Sequence, residues 1–213
     1  ACLAHSGDNI PRVVLLGRLT VFGPRASRLH EELITITARW IPPSRRAKPL
    51  EPFERSGEQR TLELLNANLR PGAQKSPDPE ALQQLAASIS TDVGQLHGHL
   101  QPGGEEYLAD AVKKLAARGE AEAAELTRIL QDQRKRVLAE LAKNKDGLQL
   151  ELKLNDEEAK QRRADVKYWE DWLSNVDGDL AREPARIREF YTVKSSRIEP
   201  VGIVYLVPGA EVK

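Results

Sequence analysis

EPARIREFYTVKSSRIEPVGIVYLV, residues 183 to 207, is the stretch on which the fold turns. It reads as a helix carrying Arg186, Arg188 and Lys194 that runs through Glu199-Pro200 into an apolar strand, Val201 to Val207, before a Pro-Gly stop. Such a strand needs a sheet to bury it. The other strong strand signals lie at the opposite end of the chain, Arg12 to Phe22 (RVVLLGRLTVF) and Leu33 to Ile41 (LITITARWI). Both chain ends are therefore expected in one sheet, with everything between them helical.

Outward from there, Val13, Leu15, Leu19 and Val21 mark the first strand, which Gly23-Pro24 ends. A polar segment, Arg25 to Glu32, leads to Ile34, Ile36 and Ala38, which alternate with Thr35, Thr37 and Arg39 as in a half-buried strand. Pro42-Pro43 stops it. Ser44 to Pro52 is a Pro-rich basic connector holding Arg45, Arg46 and Lys48. A helix is expected from about Gly57 to Leu69, then a loop from Pro71 to Pro79, with Asp78-Pro79 as N-cap and first position of the next helix.

From Tyr107 the apolar pattern lengthens. Leu108, Val112, Leu115, Leu126, Ile129, Val137 and Leu141 fall on steps of three and four, interrupted by Gly119, Glu122 and Gln133. Val166, Trp169, Leu173, Val176 and Leu180 step 3, 4, 3, 4, a coiled-coil seam. Asn144 to Asp156 leaves room only for a reversal, with its tip near Gly147, and Gly178 and Pro184 mark the end of the second arm. The expected fold is α+β and mostly helical. A small antiparallel or mixed sheet, made by the N-terminal strands and the C-terminal strand, carries a long antiparallel helical hairpin. Residues 1–104 and 183–213 would form the base and 105–182 the arm.

Composition suits this reading. Of the 213 residues, 30% are charged and 5% aromatic, which favours long solvated helices over a compact globule. Net charge is zero, yet Ala1 to Lys75 holds 12 Lys and Arg against 7 Asp and Glu, so the N-terminal part is the basic one. The single cysteine, Cys2, excludes an internal disulfide framework and points to a reducing, cytoplasmic compartment. No apolar run has the length to span a bilayer, and no signal peptide stands at the N-terminus, so no membrane role is expected. The chain has no Met, and Ala1 reads as a cut site in something longer.

Catalytic constellations fail one by one. A phosphate-binding loop needs Gly-Lys, and no such dipeptide occurs. Leu148 to Ala159 (LQLELKLNDEEA) imitates the strand and acidic pair that hold magnesium in nucleotide-driven motors. Its leucines, however, alternate with Gln149, Glu151 and Lys153, and Asp156-Glu157-Glu158 suits a helix N-terminus instead. His97 and His99 stand two apart, a spacing that does not align on a helix, and they are expected exposed at a helix end before Pro102-Gly103-Gly104. No Gly-x-Ser-x-Gly occurs. No catalytic residue, metal ligand or cofactor site is expected.

Cations remain. Arg45, Arg46 and Lys48 in the connector, with Arg186, Arg188, Lys194 and Arg197 near the end, are the candidates for phosphate contact. Arg134 to Arg136 and Arg162, Arg163 and Lys167 on the arms sit among acids and read as a solvated face.

Three segments, Val13 to Trp40 (VVLLGRLTVFGPRASRLHEELITITARW), Arg163 to Leu173 (RADVKYWEDWL) and Glu183 to Pro208 with its RIEPVGIVYLVP ending, together carry a resemblance. They resemble the region that follows the two motor lobes in bacterial Swi/Snf-type helicase-like ATPases, most of all the large helicase of the DISARM phage-defence system. Val207 departs from the pattern, where Trp stands before the final Pro. The resemblance implies a parent that is an ATP-driven DNA translocase, of which this chain is a non-motor tail without ATP chemistry of its own. It also implies contact with DNA, with the motor lobes of the same parent chain or with a partner subunit. The competing expectation is a structural module that binds a protein through its coiled-coil arm and never touches nucleic acid.

Overall fold

A computed structural model describes residues 2–4, 9–69, 79–148 and 156–208. In chain order the elements are strands β1 (Cys2–Ala4), β2 (Arg12–Phe22) and β3 (Arg28–Arg39), helices α1 (Arg55–Asn68), α2 (Pro79–Leu148) and α3 (Asp156–Phe190), and strand β4 (Ser195–Pro208). The protein is α+β and mostly helical. It divides into two compact units, one of Ala1–Phe22, Ala26–Ala111 and Lys194–Lys213, the other of Gly23–Arg25 and Val112–Val193.

The first unit is built on a mixed sheet in the order β1-β4-β2-β3. The N-terminal strands and the C-terminal strand do share it. β2 is antiparallel to both β3 and β4, while β1 runs parallel to the end of β4. Val13, Val14, Leu15, Leu19 and Val21 of β2 are all fully buried, because this inner strand is covered on both faces. On one face the register aligns Val13, Leu15 and Gly17 with Ala38, Ile36 and Ile34 of β3, and the N-terminal part of α2 lies over them. On the other face Leu206 and Val204 pack with Leu64 and Leu65 of α1.

Two glycines permit the close fit of α2. A Cβ on Gly17 would come within 2.6 Å of the Leu100 side chain, and one on Gly104 would overlap Ile34 and Ile198. Gly104 explains why Pro102-Gly103-Gly104 is no terminus. The helix continues through it, with the Gly backbone set against the sheet and Pro102 exposed to solvent.

Other boundaries also move. β3 begins at Arg28, so the polar segment before Leu33 is strand, an outer strand with few side chains to bury. β4 begins at Ser195, and Pro200 lies inside it at a register shift between Leu16 and Gly17 of β2. Proline is tolerated there because β1 covers only Leu206 to Pro208, leaving the outer side of Pro200 without a ladder to feed. Lys194 therefore sits beyond the helix and Arg197 within the strand.

The second unit is an antiparallel helix pair. Glu122 meets Tyr191 and Arg134 meets Asp177, so one index falls as the other rises. α3 has 35 residues and passes unbroken through Gly178 and Pro184, and α2 passes through Gly147 to Leu148. Gly147 itself is helical, and residues 149–155, on which the rest of the expected reversal falls, lie outside the described residues. Both expected domain limits, 104/105 and 182/183, lie inside continuous helix. The expected loop after Pro71 and the Asp78 cap also lie outside the described residues.

Candidate nucleic-acid interface

The basic connector between β3 and α1 separates into two kinds of cation. Pro42-Pro43 stops β3 and opens a single tight turn, Pro43–Arg45, closed by the Arg45 and Arg46 amides donating to the carbonyls of Pro42 and Pro43. Past that turn Arg46 points inward. Its Nη2 donates to Asp92 Oδ1 at 2.7 Å, its Nη1 to Gln95 Oε1 at 2.6 Å, and Nε and Nη2 both to the Ile41 carbonyl. The Arg46 and Asp92 side chains are 4% and 0% exposed.

Neutral groups complete this cluster. Trp40 Nε1 and Tyr205 Oη donate to the second Asp92 oxygen at 3.0 and 2.8 Å, and the Leu50 amide donates to Gln95 Oε1. The Trp40 and Tyr205 rings meet edge to face with centroids 5.8 Å apart. Burial, with Asp92 as acceptor, pushes the Tyr205 hydroxyl far above the ordinary tyrosine pKa. A guanidinium so enclosed cannot reach a phosphate. Arg46 is accordingly a structural cation that ties the connector to α2 and the sheet, a correction to its reading as a nucleic-acid contact.

Arg45 and Lys48 remain exposed and line one groove of about 610 Å³ with Arg39, Pro52, Phe53 and Glu54. Arg39 was absent from the expected set. It sits on β3 among alternating residues, and only the return of the connector alongside β3, with Phe53 N–H donating to the Thr37 carbonyl at 2.7 Å, brings it beside the connector cations. Among the described residues, Arg39, Arg45 and Lys48 form no ion pair, whereas Glu51 and Glu54 share the groove with them.

The C-terminal candidates are divided between the two units, Arg186 and Arg188 in the helical one and Lys194 and Arg197 in the sheet unit. Arg186 is engaged by Glu183 on its own helix at 3.1 Å, and Arg188 by Glu120 of α2 at 2.9 Å. Arg197 pairs with Glu199 at 2.8 Å on β4. Glu199 also takes a hydrogen bond from Arg18, which with the Arg197 and Arg28 charges holds its carboxyl below the usual range. Lys194 is exposed after α3, its amide bonded to the Phe22 carbonyl. Among the described residues, three of these four are already neutralised and only Lys194 has no acidic partner.

On α3, Val176 is buried at 1% exposure, and Val166, Trp169, Leu173 and Leu180 are half-buried. The facing positions of α2 are Leu115, Gly119, Ala123, Val137 and Leu141, not Val112 and Ile129, which are exposed. Gly119 belongs to the seam because the Tyr191 ring occupies the space its side chain would fill. His97 and His99 stand exposed in mid-helix rather than at a helix end. Among the described residues no group of His, Cys, Asp and Glu is gathered to hold a metal, and no helix is long and apolar enough to cross a membrane. Compared with models of protein families, with curated proteins and with solved structures, the chain matches none.

Proposed function

We propose that this chain is a non-catalytic accessory region of a cytoplasmic, ATP-dependent DNA translocase, and that it touches the nucleic-acid backbone through Arg39, Arg45 and Lys48. The observation that carries the reading is the meeting on one groove of about 610 Å³ of three exposed cations that form no ion pair among the described residues. Phosphates need cations on a continuous surface, and each one neutralised releases counterions. The resemblance of the three sequence segments to helicase-like ATPases supports the same reading. In it, the helix pair serves as the arm that meets the motor lobes or a partner subunit.

The test is binding of labelled single- and double-stranded DNA at low and physiological salt, by the wild type and by the triple variant Arg39→Ala/Arg45→Ala/Lys48→Ala. Loss of all three contacts should lower the salt slope for duplex by about 2.7, at roughly 0.9 per phosphate. Absence of binding by the wild type even at low salt overturns the reading. A second reading, a protein-binding module without nucleic-acid contact, is favoured by the apolar side chains of Val112, Ile129, Leu138 and Tyr168 exposed on the helix pair.

A further inference from the structure

Strand β3 is the outer strand of the sheet, and its free side is only partly closed. Near its end the Thr37 carbonyl accepts from the Phe53 amide, and Ala38 bridges to Pro52. In an antiparallel ladder the residues whose backbone groups face away from the neighbour recur every second position. Thr37 faces outward, so Thr35, Leu33 and Glu31 present N–H and C=O to the same open side. Among the described residues no backbone group bonds to them there. Proteins usually blunt such an edge, because it is a template for another strand. Here the edge instead carries Leu33, an apolar side chain 60% exposed.

The edge also runs along the floor of a trough of about 540 Å³. Glu32, Ile34, Thr35 and Ile36 of β3 form the floor, Glu58 of α1 stands on one side, and Glu106, Tyr107 and Asp110 of α2 stand on the other. Glu58 accepts a hydrogen bond from the Thr35 hydroxyl at 3.2 Å, which holds that carboxylate against the strand. On the α2 side the lining carboxylates are Glu32, which also meets His30 Nε2 at 3.1 Å, Glu106 and Asp110, while the lining cation Arg55 belongs to α1.

We infer that the β3 edge takes up an extended basic peptide of a partner protein as an added strand, with lysines or arginines alternating with apolar residues. Backbone pairing to Glu31, Leu33 and Thr35 supplies the attachment, and on the α2 side of the strand the carboxylates of Glu32 and Glu106 select positive charge. The apolar side chains of the peptide fall on the opposite face, beside exposed Leu33. This site shares no residue with the cationic groove, so it stands or falls independently of DNA binding.

The probes are three labelled eight-residue peptides: alternating Lys-Val, alternating Glu-Val, and Lys-Val with alternate backbone nitrogens methylated. Against the full chain, the Lys-Val peptide should bind at least about tenfold more tightly than either of the others. It should also slow hydrogen exchange of the Leu33 and Thr35 amides. Leu33→Pro should abolish binding, and because that variant can disturb the sheet, the surface pair Glu32→Lys/Glu106→Lys should reduce it about tenfold with the fold intact. Equal binding of the methylated peptide would reduce the trough to a charge site and overturn strand addition. Equal binding of the acidic peptide overturns the charge selection. Concentration-dependent dimerisation that Leu33→Pro removes would assign the edge to a second copy instead.

Discussion

Arg46 and Asp92, in the sheet unit, pair with side chains 4% and 0% exposed; Arg128, in the helical unit, reaches Glu125 at 2.6 Å and Asp132 at 3.4 Å with its side chain open to water. The distances are alike and the consequences are not. Enclosing two charges costs several kcal/mol each, which their attraction offsets only when the remaining donors and acceptors are filled. The Ile41 carbonyl, Gln95, Trp40 and Tyr205 do that filling. On the helix pair, water already fills it, and the ion pairs mostly bias side-chain positions. The hydrogen bond from Arg118, and then that from Tyr191, holds the Glu122 carboxyl below the ordinary range there. An arginine in a basic run can thus be part of the core or part of the surface, and its partners decide which.

Removing one member of the buried pair should break the comparison open most widely. Asp92→Ala leaves Arg46 charged and unpaired, with an expected loss of about 3–5 kcal/mol by chemical denaturation. Replacing both at once, Arg46→Met with Asp92→Leu, should cost less than the single change. A double variant as unstable as Asp92→Ala would show that the neutral partners, not the charge, suffer from the loss.

Next in size is the seam of the helix pair. Trp169 is half-buried, with Tyr168 edge-on to it at 5.0 Å. Trp169→Ala should therefore cost about 1–2 kcal/mol, below the roughly 3–5 of a fully buried tryptophan. A loss at the upper figure would mean that this ring is enclosed as thoroughly as the Arg46 cluster. The smallest effect is expected at Arg186, whose partner Glu183 lies on the same helix surface. Arg186→Ala should change stability by less than about 0.5 kcal/mol and be insensitive to salt above 0.15 M. A loss above about 1 kcal/mol would bring the exposed pairs closer to the buried one than their hydration suggests.

Much of this architecture is legible in residue patterns. Gly23-Pro24 and the apolar run before it set β2 to the residue, and the 3, 4, 3, 4 spacing from Val166 marks the inner face of α3. The first residues of β3, Arg28 to Glu32, are not legible as strand because their side chains are mostly polar, which an outer strand tolerates and an inner one does not. Pro102-Gly103-Gly104 mimics a helix stop because close approach to a sheet and termination both call for glycine. The fate of Arg46 depends on Asp92, 46 residues away, beyond any local pattern. One sign was nevertheless present. Leu85, Ser88, Asp92, Leu96 and Leu100 recur at helical spacing and are all buried, so a carboxylate stood on an apolar stripe, where it had to find a cation. Arg39 gave no sign, because its neighbours in the groove arrive through the path of the connector.

The pairing of Arg12–Phe22 with Ser195–Pro208 has a consequence in time. During synthesis, β2 and β3 can form their hairpin early, while the other side of β2 remains without its mate until Ser195–Pro208 has also left the ribosome. At roughly 5–20 residues per second, that wait is on the order of ten to forty seconds. Throughout it, the most apolar strand of the protein offers an open edge to any nascent neighbour, whereas the helices, whose bonds are local, can already have formed. Translation speed and chaperone occupancy over the intervening residues therefore bear on yield, and a ribosome that stalls before Ser195 releases a chain whose sheet cannot close.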